Sequence, residues 1–424
     1  MTSERQSTFD APRSLPPAAR LPVAAAAVCA AVWLAWASLC AGASRFLADH
    51  ALRARAPQEA ELSAQLTPAD ADAYFARAWL LSNAGELEGA RVAYERALSL
   101  RPSDHVLWLE AGKVRERSGD VEGALAAFRE AVRLAPSYAQ PRWQLGNALL
   151  RAGSRDEAVG ELRRAAESDP SLYPNLVQTL WQASGHDPRA LVNDASPRTS
   201  AETLAVVRLL IREGAADEGL RALRESGSQL ADESRRQLVA DLLAAERFVD
   251  AYGLWSEGRG AVGSLTNGGF EDAARTDEEG FGWRFAAGVP SVRLSLDTEA
   301  PREGARSLKV EYAGGSDPAQ PAVSRLVAVE PGARYRLTFS ARTKELVTGG
   351  PPFFQVASAS KSGEALAETA ALAASTDGWQ EFVLEFTAPP AGAVRLALKR
   401  RPCSTAPCPA FGGVWLDAFE LKKQ

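Results

Sequence analysis

The chain has 424 residues, 46% of them hydrophobic and 24% charged, so it is long enough for two or three globular domains and is not disordered as a whole. Its net charge of −5 excludes the strongly basic surface of most nucleic-acid-binding proteins, and we expect no nucleic-acid partner. With 3 histidines and 4 cysteines, the chain lacks the Cys/His clusters that bind zinc.

An apolar run near the N-terminus predicts a membrane anchor. Residues 21–44 carry no charge between Arg20 and Arg45, and about 20 apolar residues in a helix cross a bilayer core about 30 Å thick. A cleaved signal peptide is the alternative, because Ala41-Gly42-Ala43 is similar to a signal-peptidase site. The predicted segments are a cytoplasmic tail at 1–20, a transmembrane anchor at 21–44 and a linker at 45–66.

Two cysteines near the C-terminus indicate the compartment. The arginines on the two sides of the apolar run are balanced, so the positive-inside rule gives no orientation. Cys403 and Cys408 lie in one short segment of a β-rich region, which favours a local disulfide of the kind that persists in oxidising compartments. Two reduced thiols are the alternative. We therefore expect the C-terminal bulk to be periplasmic or otherwise extracytoplasmic.

A period of 34 residues runs through the next segment, where Pro102, Pro136 and Pro170 end three similar stretches. The same spacing relates glycine, alanine and large apolar positions, namely Gly85, Gly119, Gly153, Ala90, Ala124, Ala158, Tyr94, Phe128 and Leu162. This pattern resembles the tetratricopeptide repeat, a pair of antiparallel helices. It predicts three repeats at 67–170, followed by degenerate helical repeats at 171–258.

The resemblance implies a groove that binds a protein or peptide partner, because the first helix of each repeat in this family lines a concave surface. Aromatic side chains beside basic groups suit apolar anchors and carboxylates of a peptide. The alternative is that the aromatic side chains only pack the helices together. The groove positions, assigned by register, are Phe75, Trp79, Leu109, Lys113, Arg117, Trp143, Asn147 and Arg151.

Beyond residue 264 the apolar period changes from 3.6 to 2. Tyr335, Leu337 and Phe339 alternate with polar side chains, and similar stretches with Gly/Pro turns give about eight strands. Residues 264–424 are therefore predicted to form an antiparallel β-sandwich, or jelly roll. The expected fold class is multidomain α plus β, with an N-terminal transmembrane helix, an all-α solenoid and this sandwich.

Three motifs mark the start, middle and end of the sandwich, namely L-T-N-G-G-F-E at 265–271, V-E-P-G-A-R-Y at 329–335 and V-W-L-D-A-F-E-L at 414–421. Their order resembles that of jelly-roll carbohydrate-binding modules of secreted bacterial proteins. In several such modules, acids from the opening and closing motifs hold a structural calcium, which implies Glu271 and Asp417 here. Two solvated acids at strand ends are the alternative, and no other cofactor is expected.

Binding of a sugar usually needs an exposed aromatic side chain with polar groups around it. Trp379 and Trp415 belong to framework motifs and are expected in the core. Phe353 and Phe354 are adjacent, so one of the two must face inward from a strand. The candidate glycan-binding side chains are Trp283, Phe353, Phe354 and Phe411.

No catalytic motif is evident, since the chain has neither a Gly-rich phosphate loop after a strand nor a nucleophile elbow. We expect a non-catalytic scaffold in the bacterial inner membrane, with a solenoid that binds protein and a sandwich that binds polysaccharide. The pairing of domains suggests a role in assembly or export of an exopolysaccharide. The alternatives are an assembly factor for a secretion or pilus complex and a polysaccharide-modifying enzyme that uses two carboxylates.

Overall fold

The computed structural model describes residues 17–258, 260–272, 280–285, 291–315, 317–404 and 407–424, with side chains from residue 21 onward. The chain divides into two compact units, an N-terminal unit that ends at Asp187 and a C-terminal unit from Pro188 to Gln424. The described residues form α-helices in both units and β-strands in the C-terminal unit alone, which confirms the predicted fold class.

The helices of the N-terminal unit follow one another with short connections. They are α1 (Pro17–Ala54), α2 (Pro57–Leu66), α3 (Ala71–Ala84), α4 (Leu87–Leu100), α5 (His105–Arg117), α6 (Val121–Leu134), α7 (Ala139–Arg151), α8 (Arg155–Ser168) and α9 (Tyr173–Ala183). The pairs α3–α4, α5–α6 and α7–α8 pack as three helical hairpins. These hairpins lie within the segment in which the 34-residue period occurs.

Small residues allow the two helices of each repeat to approach closely. A Cβ atom on Gly112 would lie 2.5 Å from Cε1 of Phe128, and one on Gly146 would lie 2.5 Å from Cγ of Leu162. Both contacts are too short for a real side chain, so the large residue of the second helix fills the space that glycine leaves in the first. Glycine therefore recurs with the 34-residue period because the large side chain of the second helix needs that space.

The predicted linker at 45–66 is helical in the structure. Helix α1 runs on beyond the apolar segment to Ala54, and α2 folds back against it. Ser44 is fully buried, and its hydroxyl oxygen lies 3.0 Å from that of Ser63. Helix α1 thus continues without a break from the apolar segment into the part of the chain that packs against α2.

The helices after Pro188 belong to the same unit as the sandwich. They are α10 (Pro188–Ala195), α11 (Ser200–Arg212), α12 (Ala216–Ser226), α13 (Asp232–Ala244) and α14 (Phe248–Trp255). Phe248 and Tyr252 of α14 share one apolar core with Phe281, Leu326 and Ala328 of the sandwich. The region predicted as the weaker end of the solenoid, 171–258, is therefore divided between the two units.

The sandwich consists of two five-stranded antiparallel sheets. The first sheet has the order β1-β4-β9-β6-β7 and the second β2-β3-β10-β5-β8. The strands are β1 (Trp283–Phe285), β2 (Val292–Asp297), β3 (Ser307–Gly315), β4 (Val323–Ala328), β5 (Arg334–Thr348), β6 (Pro352–Ser358), β7 (Ala365–Glu368), β8 (Gln380–Thr387), β9 (Ala393–Arg400) and β10 (Pro409–Lys423). Phe354 and Leu396 of the first sheet pack against Phe339 and Val414 of the second to form the core.

Candidate functional site

The structure places the predicted groove residues of the solenoid in different environments. Leu109 is 3% exposed and packs in the core between helices, so it lies beneath the surface. Phe75 is half-buried with its ring edge-on to Tyr94 at 6.1 Å, and Trp79 and Trp143 are also half-buried. The two tryptophans therefore keep part of their surface exposed to solvent.

The basic residues predicted for the groove already have partners within the solenoid. Lys113 pairs with Glu110 at 2.6 Å, one turn away on the same helix. Arg151 donates from Nε to the Glu116 carboxylate at 3.0 Å, from α7 to α5. A peptide carboxylate would have to compete with these acids, which makes apolar contacts the better source of affinity.

Arg117 and Arg151 both link one first helix to the preceding one. Arg117 donates to the Ser82 hydroxyl at 2.8 Å from α5 to α3, one repeat back, as Arg151 does from α7 to α5. These bonds cross exposed surface and fix the spacing of adjacent repeats, so the two arginines stabilise the stack.

Two open cavities lie on the solenoid. Trp79 lines one of about 500 Å³ together with Arg55 and Asn83. Asn147 and Arg151 line the other, of about 690 Å³, whose remaining wall includes Gln178 and Gln182 of α9. Gln178 and Gln182 lie outside the three-repeat register, so the 34-residue pattern gave no reason to select them.

Two of the four aromatic residues predicted for glycan binding are core residues. Trp283 is 5% exposed, packs against Phe270 and Phe419, and donates from Nε1 to the carbonyl of Asn267 at 3.0 Å. Phe354 is fully buried between the sheets. The glycine-tryptophan motif that contains Trp283 thus serves packing, and neither residue offers a ring to a ligand.

The other two aromatic residues face outward. Phe353 lies on the opposite side of β6 from Phe354, where the Arg401 guanidinium stacks 3.8 Å above its ring centroid. Arg401 also pairs with Glu368 at 2.7 Å, and together these leave Phe353 almost inaccessible. Phe411 is 48% exposed on β10 and is the one predicted aromatic that a sugar ring reaches without rearrangement.

Trp415 and Trp379, expected in the core, form a stack on the second sheet. The Arg342 guanidinium lies 4.7 Å from the Trp415 ring centroid and 5.3 Å from that of Trp379. Burial raises the pKa of Asp297, but the amide of Glu299, the Trp415 indole and the charge of Arg342 outweigh it and lower that pKa. The Arg342 guanidinium, the Asp297 carboxylate and the two indole rings are thus paired with one another on the second sheet.

The side of the first sheet that faces away from the sandwich core is the second candidate surface, called here the outer face. On this face Ala397 of β9 lies opposite Ser324 of β4 and Gln355 of β6. Lys399 donates to the Gln355 amide oxygen at 2.9 Å at one end. At the other end, helices α13 and α14 cover the sheet.

A cavity of about 390 Å³ lies where those helices meet the outer face. Arg284, Lys361 and Arg395 line it from the sandwich, and Glu246 and Phe248 line it from the helical side. This cavity could not be predicted from the sequence, because its walls come from segments more than a hundred residues apart that the fold brings together.

The two acids predicted to hold calcium accept hydrogen bonds from the backbone of one loop. Asp417 is fully buried, and its Oδ2 accepts the backbone amides of Arg302 at 2.8 Å and Glu303 at 3.1 Å. Glu271 accepts the backbone amide of Ala305 at 2.9 Å from the other side. The carboxylates are therefore brought together, as the motif order implied, but their partners are N–H donors.

This arrangement does not fit a calcium site. Calcium takes six to eight oxygen ligands, and the described ranges contain no group of three or more His, Cys, Asp or Glu residues placed to hold a metal. The carboxylate oxygens instead accept backbone N–H groups, from Arg302, Glu303 and Ala418 at Asp417 and from Ala305 and Arg306 at Glu271. The two acids form a clamp on the backbone of residues 302–306.

The Sγ atoms of Cys403 and Cys408 are joined by a disulfide, with their Cα atoms 5.5 Å apart. The bond closes the segment between β9 and β10, next to Gly349 and Gly350. It holds together two chain segments that leave the same end of the sandwich.

Family comparisons agree with this architecture. Residues 71–114 and 117–180 match models of the tetratricopeptide repeat, and residues 262–405 match the model of the carbohydrate binding domain. One chain thus contains segments that match tetratricopeptide repeats and a segment that matches a carbohydrate-binding domain. Both families are non-catalytic. A comparison with curated proteins finds no match.

Solved structures similar to the chain include proteins of both kinds. MamA matches with 21% identity over 32% of this chain and 79% of its own, with a TM-score of 0.29. YrrB, described as a tetratricopeptide repeat protein with an unusual peptide-binding site, matches with 19% identity over 43% and 88%, with a TM-score of 0.31. A CBM4 structure matches with 14% identity over 38% and 100%, with a TM-score of 0.28.

Proposed function

We propose that this protein is a membrane-anchored, non-catalytic scaffold whose solenoid binds a protein partner and whose sandwich binds a polysaccharide in assembly or export at the bacterial cell surface. The observation that carries the proposal is the union, in one chain, of tetratricopeptide repeats with a carbohydrate-binding domain. A glycan array probed with the full-length protein tests it. Retention of polysaccharide ligands supports the proposal, and an array without any bound glycan contradicts it.

Helix α1 supports the anchor. Its stretch from Leu21 to Ala54 has 34 residues and contains an 18-residue window with a mean hydropathy of 2.1, enough to cross a membrane, although a signal sequence passes the same test. At 1.5 Å per residue the stretch is about 50 Å long, so about 20 Å remains beyond a bilayer core. That remainder is the part that packs against α2.

Retention of the helix is the alternative that the packing favours. Cleavage after Ala43 would place a new charged amino group on Ser44, which is fully buried against Ser63. Burying an unpaired charge is costly. The disulfide between Cys403 and Cys408 supports an oxidising compartment for the C-terminal unit, and thus a periplasmic location.

The anchor prediction concerns the protein in its native membrane. We expect a C-terminally tagged chain to migrate at its full mass of 45.2 kDa and to remain in the membrane pellet after alkaline extraction. Tag mobility is compared with a standard that begins at Ser44. Co-migration with that standard, together with release into the soluble fraction, would show that the segment is a cleaved signal.

For the solenoid, we expect Trp79→Ala to reduce recovery of the native partner at least tenfold. A half-buried tryptophan beside a cavity is the kind of side chain that dominates interface energy, and loss of about 1.4 kcal/mol is a factor of ten. Quantitative cross-linking and mass spectrometry in native membranes measures recovery. Tyr138→Ala, at a residue that is 60% exposed, is the matched control. Equal recovery with both variants would show that Trp79 only packs helices.

A further inference from the structure

We propose that the cavity between helices α13 and α14 and the outer face binds the carboxylate of an acidic, uronate-containing glycan, through Arg284, Lys361 and Arg395. The inference rests on the proposed glycan-binding function of the sandwich and specifies the class of ligand. The proposed site uses none of the aromatic residues that the sequence suggested, because two of those are core residues and Phe353 is covered.

The shape of the cavity suits a sugar. Its volume of about 390 Å³ lies in the range of about 300–1,000 Å³ that is common for small-molecule sites. Leu243 and Phe248 form an apolar wall on the helical side, and Ser324 and Leu326 lie on the sheet. A sugar ring there would have an apolar face on one side and hydrogen-bonding groups on the other.

The charges around the cavity are not balanced. Among the lining residues that the structure describes, three are basic and one, Glu246, is acidic. An oxygen of Glu246 accepts the backbone amide of Lys361 at 3.2 Å, so part of its acceptor capacity is committed. The local excess of positive charge is a property of a site for an anion, since the chain as a whole is acidic.

Arg284 and Arg395 differ from other arginines of the sandwich. Arg336 pairs with Glu385 at 2.7 Å, and Arg401 pairs with Glu368 at the same distance. Within the described part of the chain, neither Arg284 nor Arg395 has a carboxylate partner. Their guanidinium groups thus retain the donors with which arginine binds a planar carboxylate.

The positive charges of Arg284 and Arg395 also repel each other. Burial and the charge of Arg284 both lower the pKa of Arg395. Arg395 nevertheless keeps exposed surface, so a ligand can reach it. A carboxylate bound between the two would relieve both the repulsion and the loss of hydration, which gives binding a specific source of free energy.

The outer face offers a path for the rest of a glycan chain. Arg395 lies opposite Ala357 in the register of β6 and β9, and the next outward-facing pair is Gln355 and Ala397. Beyond them Lys399 and Gln355 are joined by their hydrogen bond. Gln355 and Lys399 thus place two polar groups on the same face as Arg395, so neighbouring sugars can be hydrogen-bonded as well.

The test uses the full-length protein in nanodiscs and isothermal titration calorimetry. The probes are trimers of galacturonate and of mannuronate, with trimers of galactose and mannose as neutral counterparts. The variants are Arg284→Gln, Arg395→Gln and their combination. Arg293→Gln, at an exposed arginine on the second sheet, is the matched control. Thermal unfolding shows whether each variant keeps the fold.

We expect at least one uronate trimer to bind the unaltered protein more tightly than its neutral counterpart. Each single variant should weaken that binding about tenfold, and the double variant should remove the preference for the acidic sugar. Arg293→Gln should leave binding unchanged. Neutral trimers that bind as tightly as uronates, unaffected by the variants, would overturn this inference and keep the glycan-binding function. Absence of binding by every trimer would overturn both.

Discussion

Replacing Phe281 by alanine should lower the free energy of unfolding of the C-terminal unit by about 3–5 kcal/mol, the usual cost of emptying a large buried aromatic site. Phe281 is 1% exposed, and its ring lies edge-on to Tyr252 at 5.0 Å and 5.7 Å from Trp255. These contacts join helix α14 to the sandwich. Differential scanning calorimetry of the full-length protein measures the change.

The matched control for that variant is Phe411→Ala, because Phe411 is 48% exposed and lies on β10. We expect the control to change stability by less than about 1 kcal/mol, as is usual for surface substitutions. Should Phe281→Ala leave the unfolding transition as unchanged as Phe411→Ala does, the helices after Pro188 would not be part of the sandwich unit.

Replacing Asp417 by alanine should lower the free energy of unfolding by about 2–4 kcal/mol, because buried amides that lose their acceptor cost about 1–3 kcal/mol each and water recovers part of that. The amides of Arg302, Glu303 and Ala418 all donate to this carboxylate. Chemical denaturation measures the change. Glu420→Ala, at an exposed acid on the same strand, is the control and should have little effect.

The pH dependence of the same site distinguishes the backbone clamp from a calcium site. Because burial raises the pKa of Asp417 above its usual value of 3.8, the folded state binds its proton more tightly than the unfolded state does. The contribution of Asp417 to stability should therefore rise as pH falls from neutral through the raised pKa towards 3.8.

Measured with Asp417→Asn as the reference, the stability of the unaltered protein should increase relative to the variant over that pH range. We also expect calcium and a chelator to leave the melting temperature unchanged. A melting temperature that rises with calcium, together with stability that falls on acidification, would show that Glu271 and Asp417 hold the metal.

The repeats could be predicted from the sequence because each conserves its spacing for a local physical reason. Gly112 and Gly146 recur at 34 residues since Phe128 and Leu162 need the space above them. The alternation along the strands was equally direct, as Tyr335 and Leu337 of β5 are buried and Arg336 lies exposed between them. Periodicity reports contacts within one element or between neighbours, and these are the parts that were confirmed.

The parts that could not be predicted depend on contacts distant in sequence. Nothing local to α14 shows that Tyr252 packs against Phe281, or that the same hairpin brings Glu246 to the cavity beside Arg395. Trp283 was wrongly predicted to bind glycan for a related reason. A sequence motif shows that an aromatic residue is present, but it does not show whether the side chain lies in the core or on the surface. The candidate glycan contacts in the structure are therefore arginines, whereas those predicted from the sequence were aromatic rings.

Affinity electrophoresis of the full-length protein in detergent, through native gels with and without dissolved polysaccharide, tests the central claim most directly. We expect an acidic polysaccharide to retard the protein in proportion to its concentration, with weaker retardation at higher salt because exposed charges are screened. A neutral protein standard of similar mass corrects for sieving. Migration unchanged by every neutral and acidic polysaccharide would contradict the account of this protein as a glycan-binding scaffold.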